Sequence, residues 1–172
     1  MELWDIYDKD RKHTGETMVS GSEFGEGEYH LIVHLCIFNS DGQLLIQQRQ
    51  SSKKQWPNLL DLSVGEKAIS GETSQMAGER ELKEELGYIV NLQKKRPIVT
   101  IHYTRGFDDV FIIEENLDLA ELTLQQEEVQ DVKWATKEEI ISKIKEGRFV
   151  PYFESFIHFL FDMFSHPNSY IR

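Results

Sequence analysis

Three glutamates, Glu81, Glu84 and Glu85, stand at three- and four-residue spacing in the stretch Gly71 to Gly87, GETSQMAGERELKEELG. At roughly 100° per residue that spacing puts them in one sector of a helix, while Leu82 and Leu86 fall in another that can dock on a core. The Thr73 hydroxyl can accept from first-turn amides and Gly87 can take the left-handed C′ position, so the spacing predicts a helix from Ser74 to Leu86. The acidic face carries no obvious counter-charge of its own. Such carboxylates repel by a few tenths of a kcal/mol per pair when solvated, and by about 2–3 kcal/mol at about 6 Å and an effective dielectric of about 20. A divalent cation removes that cost. Mg²⁺ is the natural candidate, with Mn²⁺ possible, because both favour oxygen donors, and Mg²⁺ is usually held by one or two carboxylates plus substrate phosphates. The alternative is a solvated charged face paired with Arg80 and Lys83.

Glu72, then seven residues, then Arg80-Glu81-Leu82-Lys83-Glu84-Glu85-Leu86-Gly87 resembles the Nudix box, Gx5Ex7REUxEExGU with U a bulky apolar residue. The fixed positions agree at Glu72, Arg80, Glu81, Leu82, Glu84, Glu85 and Gly87, whereas the opening Gly is replaced by Glu66 and the last apolar position by Tyr88. Gly tolerates backbone conformations that Glu resists, so the sequence leaves the path of the loop at Glu66 open. The resemblance implies a Nudix-type α/β/α sandwich with a central mixed sheet. It further implies Mg²⁺-dependent hydrolysis of a diphosphate linkage in a nucleoside diphosphate derivative or similar small molecule. Glu81, Glu84 and Glu85 would then hold the metal, joined by the backbone carbonyl of Gly65. Arg80 and Glu72 would orient those carboxylates from behind. The proton acceptor would be one of the three or Glu128, which matches a loop acid in the segment Gln125 to Trp134.

From Tyr29 to about Ile89 the chain also resembles the Nudix branch that includes type I isopentenyl-diphosphate isomerase. The catalytic cysteine and metal-binding histidine of that isomerase fall on Gly65 and Lys67 here, so the proton donor is lost while the hydrolase carboxylates stay. An isomerase-like enzyme is therefore one alternative. A non-catalytic nucleotide-binding module of the same fold is the other, although no box carboxylate is missing.

At 172 residues with no Pro/Gly/Ser-rich linker, the chain is expected to form a single domain, 1–172. A net charge of −11 argues against a nucleic-acid polymer as partner, since phosphate would be repelled without a basic patch; a small diphosphate substrate remains compatible if metal is bound. Cys36 is the sole cysteine and excludes an intrachain disulfide. The apolar run Leu31 to Phe38 is too short for a bilayer. The expectation is a cytoplasmic protein without a membrane partner.

The elements that must position the acid helix follow from the pattern. Leu3 to Tyr7 and Thr17 to Val19 predict an N-terminal strand pair within 1–28, with no chemistry assigned, and Ser20 to Glu28 reads as a loop. Tyr29 to Phe38 and Gln43 to Arg49 form a central hairpin around Asn39 to Gly42. His30, His34 and Cys36 share one face of the first strand, and hydrogen-bonded structural histidines are the simpler reading. Arg49 can meet a diphosphate or form a surface ion pair. Ile98 to Thr104 and Val110 to Glu114 pair around a turn at 105–109. His102, Tyr103, Arg105 and Phe107 are candidates to line a substrate pocket. The box spans about 66–88 and C-terminal helices about 136–165. The first of these opens on a Thr136/Glu139 capping box and the last on Pro151. Its wide apolar surface, Phe153 to Phe164, is either buried in the monomer or the interface of a homodimer.

Overall fold

The computed structural model describes residues 2–171. Two strands, β1 (Leu3–Tyr7) and β2 (His13–Val19), form an antiparallel pair of their own. β2 starts earlier than the composition suggests because the turn is tight: the Asp8 carboxylate accepts from the Asp10 and Lys12 amides, and Arg11 takes φ 59°.

The main sheet is built on β3 (His30–Phe38) and β4 (Leu44–Arg49), joined by a turn in which the Asn39 side chain accepts from the Asp41 and Gln43 amides. The expected hairpin pairs only at Phe38–Leu44 and then opens. Ser63, fully buried, accepts from the Ile37 amide at 2.9 Å and donates to the Leu45 carbonyl at 2.6 Å, holding the fork. Below it β5 (Leu60–Asp61) pairs with β4, and β6 (Val64–Lys67) pairs with β3. β7 (Val99–Tyr103) and β8 (Gly106–Glu114) complete one arm, with β8 parallel to β3, and β9 (Val129–Ala135) completes the other against β4. The sheet is mixed, as expected. The β7–β8 turn is shorter than expected, however, and Phe107, Asp108 and Asp109 lie in the strand rather than the turn.

Period-two alternation on β3 sends Val33, Leu35 and Ile37 to one face and Cys36 and Phe38 to the other. Helix α1 (Ser74–Leu86) packs Ala77, Leu82 and Leu86 on the first face. Helices α2 (Lys137–Lys145) and α3 (Glu154–Ser165) cover the second, and the three layers form an α/β/α sandwich. The caps are those predicted: Thr73 accepts from the Met76 amide, Gly87 has φ 69°, and the Thr136/Glu139 box is formed. Pro151 lies outside α3, which is capped at Phe153. Residues 148–150 instead run beside Leu60, and Tyr152 turns inward. Most of the α3 apolar surface is used within the chain, Phe38 stacking on Phe164 and meeting Phe161 edge-on, while Phe153 stays 83% exposed. Among the described residues no helix is long and apolar enough to cross a membrane.

Candidate active site

Helix α1 delivers Glu81, Glu84 and Glu85 to one wall of a cavity of about 710 Å³. Glu81 and Glu85 are only 7% and 4% exposed, whereas the Glu84 side chain is half in solvent. Burial, with Glu66 and Glu84 adding to it and Arg80 opposing, pushes the Glu81 carboxyl up to about 7. Burial likewise raises Glu85 well above the carboxylate range, with Glu81, Glu128 and Glu66 reinforcing it.

The acid face is partly neutralised from within the box. Arg80 grips Glu72 with two bonds, Nε to Oε1 at 2.7 Å and Nη2 to Oε2 at 2.9 Å, and donates from Nη1 to Glu81 and, at 3.2 Å, to Glu84. Glu72 in turn accepts from the Ile69 amide, which pins the loop entering α1. Arg80 and Glu72 thus form one ion-paired group with Glu81 and Glu84, and Glu85 alone of the three glutamates makes no ion pair among the described residues. Its side chain meets Gln47 Nε2 at 3.3 Å and no cation among the described residues. Gln47 Oε1 is buried without a partner.

Glu66 replaces a glycine of the box without strain, because it lies in β6 rather than in a turn needing positive φ. Sharing the parity of Val64, it adds a carboxylate to the cavity wall. The loop between β4 and β5 faces it. Lys53 is paired with Glu128 and lies 3.9 Å from Glu66, and Lys67 lies 3.3 Å from Glu66. Arg49 also lines the cavity, held by Asp61 at 2.8 Å and the Gln55 carbonyl. Glu128 and Arg49 therefore reach the carboxylate cavity from sequence positions far apart. The sequence does not single out Lys53, Lys67 or Glu66 as cavity residues; the parity of Glu66 with Val64 is the one local signal, and nothing in the run SSKKQWPN marks which lysine turns inward.

Tyr103, Arg105 and Phe107 do not line that cavity, and neither does His102. Phe107 is 2% exposed in the core. Tyr103 bonds through its hydroxyl to His30 Nε2, and Arg105 donates to the Gly25 carbonyl at 2.9 Å. His30 is 3% exposed, packs on Trp4 and Phe24, and leaves Nδ1 without a partner. Burial first, then the charge of Lys67, lowers it to about 4. A native pKa below the ordinary 6.5 means that the unfolded chain binds the extra proton. Stability is therefore lost as pH falls from about 6.5 toward 4, by on the order of 3 kcal/mol. His30→Gln should flatten the pH dependence of urea unfolding in that window.

Gly65 sits across from His34 in the β3–β6 ladder, and a Cβ there would lie 2.5 Å from the imidazole Cδ2 and Nε2. His34 cannot easily yield: it bonds Asp108 at 2.9 Å and, more weakly, Tyr152, whose hydroxyl donates to Asp61. Burial opposes protonation of His34, but the charge and hydrogen bond of Asp108 outweigh it and its pKa is raised. Gly65→Ala should cost about 1–3 kcal/mol in thermal or urea melts, as overpacking does in other cores.

The acidic donors on the cavity wall are all oxygens, two of them on buried carboxylates, and Glu85 makes no direct ion pair among the described residues, the charge of Lys53 acting on it only from a distance. That set fits a hard dication and not a soft one. No three acidic or imidazole side chains are already gathered as a metal shell among the described residues; Arg80 and Lys53 hold Glu81, Glu84 and Glu128.

Comparison with known proteins places these features in context. The family model described as NUDIX domain matches residues 28–155. An uncharacterized Nudix hydrolase of Listeria monocytogenes is 47% identical over 163 residues, 95% of each chain. An isopentenyl-diphosphate Delta-isomerase of Salmonella arizonae is 32% identical over 122 residues, 67% of this chain and 66% of its own. A crystal structure of a protein from Deinococcus radiodurans superposes with a TM-score of 0.75 at 23% identity, covering 92% of this chain and 99% of that one.

Proposed function

This chain belongs to the NUDIX domain family, and from that premise we propose that it is a Mg²⁺-dependent hydrolase of a diphosphate linkage in a nucleoside diphosphate derivative or similar small molecule. The observation that carries the proposal is Glu85, buried and without a cationic partner among the described residues, on the wall of a cavity that also holds Arg49, Lys53 and Lys67. Acid on one side and base on the other suit a metal and a diphosphate taken up together.

Glu81, Glu84 and Glu85 would hold Mg²⁺ or Mn²⁺, with the Gly65 carbonyl as a further donor. The cation would supply charge neutralisation and Lewis acidity at the phosphate oxygens. Arg80, fixed by Glu72, keeps Glu81 and Glu84 oriented through its fork. Lys53, Lys67 and Arg49 meet the remaining phosphate oxygens. Water attacks phosphorus, the bridging P–O bond opens toward the leaving phosphate, and a carboxylate accepts the water's proton. Glu128, paired with Lys53 at the cavity, or one of the three box glutamates would take that last role. A cytoplasmic, single-domain protein acting on a small substrate goes with this proposal.

The isomerase alternative is disfavoured by a specific contact. The imidazole of His34 occupies the room that a side chain at position 65 would need, so a thiol cannot simply be restored there. The test is a panel of nucleoside diphosphate sugars, dinucleoside polyphosphates, nucleoside triphosphates and isoprenoid diphosphates, each with and without Mg²⁺ or Mn²⁺. Metal-dependent cleavage of at least one is expected, and no cleavage of any with either metal would overturn the proposal.

A further inference from the structure

Arg49 lines the cavity from the end of β4, and its guanidinium is fixed by the protein itself. Nη1 donates to Asp61 Oδ2 at 2.8 Å, while Nε and Nη2 both donate to the Gln55 carbonyl, at 3.3 and 3.2 Å. A guanidinium carries five N–H groups, so two remain to meet a ligand. Asp61 is held in turn from its other side. It is 8% exposed, and its Oδ1 accepts from the Leu62 amide at 2.8 Å and from the Tyr152 hydroxyl at 2.9 Å, so the buried carboxylate is bonded at both oxygens. The hydroxyl has a single proton, and His34 Nε2, at 3.4 Å, is the more distant partner. Tyr152 reaches Asp61 because Pro151 keeps the residue before it extended. The chain at 148–150 therefore runs beside β5, with the Leu60 amide donating to the Arg148 carbonyl at 3.0 Å and the Val150 amide to the Leu60 carbonyl at 2.8 Å. The Phe149 and Phe156 rings then flank the Tyr152 ring, centroids 6.3 and 5.8 Å away.

We propose that Asp61 and Tyr152 are positioning residues for diphosphate binding: they lock the Arg49 guanidinium in place, so that the segment leading into α3 sets the affinity of a cavity it does not line. The proposal rests on the hydrolase function above, in which Arg49 meets phosphate. An unrestrained arginine loses side-chain freedom when it grips a phosphate, and that loss is subtracted from affinity. Here the loss is met on folding. The planar fork must also present its edge to the oxygens, which a fixed guanidinium does before the ligand arrives. Asp61 does not use up the cation, because the carboxylate divides its acceptor capacity among Arg49, the Leu62 amide and the Tyr152 hydroxyl. Through the Gln55 carbonyl the same guanidinium tethers the loop that brings Lys53 to the cavity. That loop needs a tether: Trp56 takes φ 52°, a conformation bulky side chains resist and keep only where their surroundings hold it.

The test is isothermal titration of methylenediphosphonate in Mg²⁺ into wild type, Tyr152→Phe, Arg49→Ala and Lys67→Ala, and into Tyr152→Phe combined with each of the other two. Thermal melts set a temperature at which all are folded, with Asp61→Asn replacing Tyr152→Phe, or Arg49→Lys replacing Arg49→Ala, if either does not fold. Tyr152→Phe should weaken binding about three-fold or more, as release of one ordered side chain requires, and Arg49→Ala about ten-fold or more. On the Arg49→Ala background Tyr152→Phe should have no further effect. On Lys67→Ala it should keep its full effect, since Lys67 bonds Glu66 and neither Arg49 nor Tyr152. A residue that merely stabilises the fold would act alike on both backgrounds. Unchanged affinity in Tyr152→Phe or in Arg49→Ala, or an equal loss on both backgrounds, overturns the positioning role and leaves the hydrolase function standing. Failure of wild type to bind methylenediphosphonate overturns both proposals.

Discussion

Glu84→Gln and Glu85→Gln are each expected to lower kcat by at least about 10²-fold with the fold retained, close to 2.7 kcal/mol of transition-state stabilisation. The amide keeps the shape and removes the charge that would hold a cation. The two variants should part company in stability. Glu84 is half-exposed, so its loss should move metal-free unfolding by about 0.5 kcal/mol or less. Burial, then the neighbouring Glu81, Glu128 and Glu66, disfavours the charged form of Glu85, so an uncharged amide there should leave metal-free stability unchanged or raise it. Steady-state kinetics paired with urea melts read both quantities. Wild-type turnover in both variants would remove these residues from the site.

Arg80→Ala should be the most damaging single change to the scaffold of the site. One guanidinium serves Glu72, Glu81 and Glu84, and its removal leaves Glu72 and Glu81, each about nine-tenths buried at the side chain, without a counter-charge. Breaking a buried pair from one side costs about 3–5 kcal/mol. Arg80 is 20% exposed, so screening brings the expectation to roughly 2–4 kcal/mol. Turnover should fall as well, since the carboxylates lose their orientation. Arg80→Lys should recover little, because an ammonium cannot make the two-bonded grip on Glu72. Adding Glu72→Gln to Arg80→Ala should restore part of the stability but not the activity. Recovery of both would show that Arg80 acts only by neutralising Glu72.

What the sequence discloses about this site follows the range of the interactions involved. Helix α1 is readable to the residue because its ends are set by Thr73 and Gly87, whose chemistry acts within a turn. β3 is readable because its apolar run is long. The fork between β3 and β4 is not, since it depends on Ser63 reaching back across 26 residues to Ile37 and 18 to Leu45. The same holds for the cavity. Arg80 lies beside Glu81 and one turn before Glu84, so its pairing could be read locally. Lys53 meeting Glu128 spans 75 residues and could not. Tyr103 and Arg105 have side chains suited to a substrate pocket, yet they bond His30 and the Gly25 carbonyl outside the cavity, because β8 starts at Gly106, four residues before the polar run suggests. Glu66 reads as a defect in a glycine loop and turns out to be a strand residue facing the cavity.

Uptake of metal by the acid face of α1 is the most direct thing to measure. Titrating Mg²⁺ or Mn²⁺ into the wild-type protein with methylenediphosphonate present should show saturable binding. It should weaken by about ten-fold or more in Glu85→Gln, as loss of a charged ligand requires. No uptake of either cation in the presence of the diphosphonate, or binding that is indifferent to Glu85, would contradict a diphosphate-cleaving site at Glu81, Glu84 and Glu85.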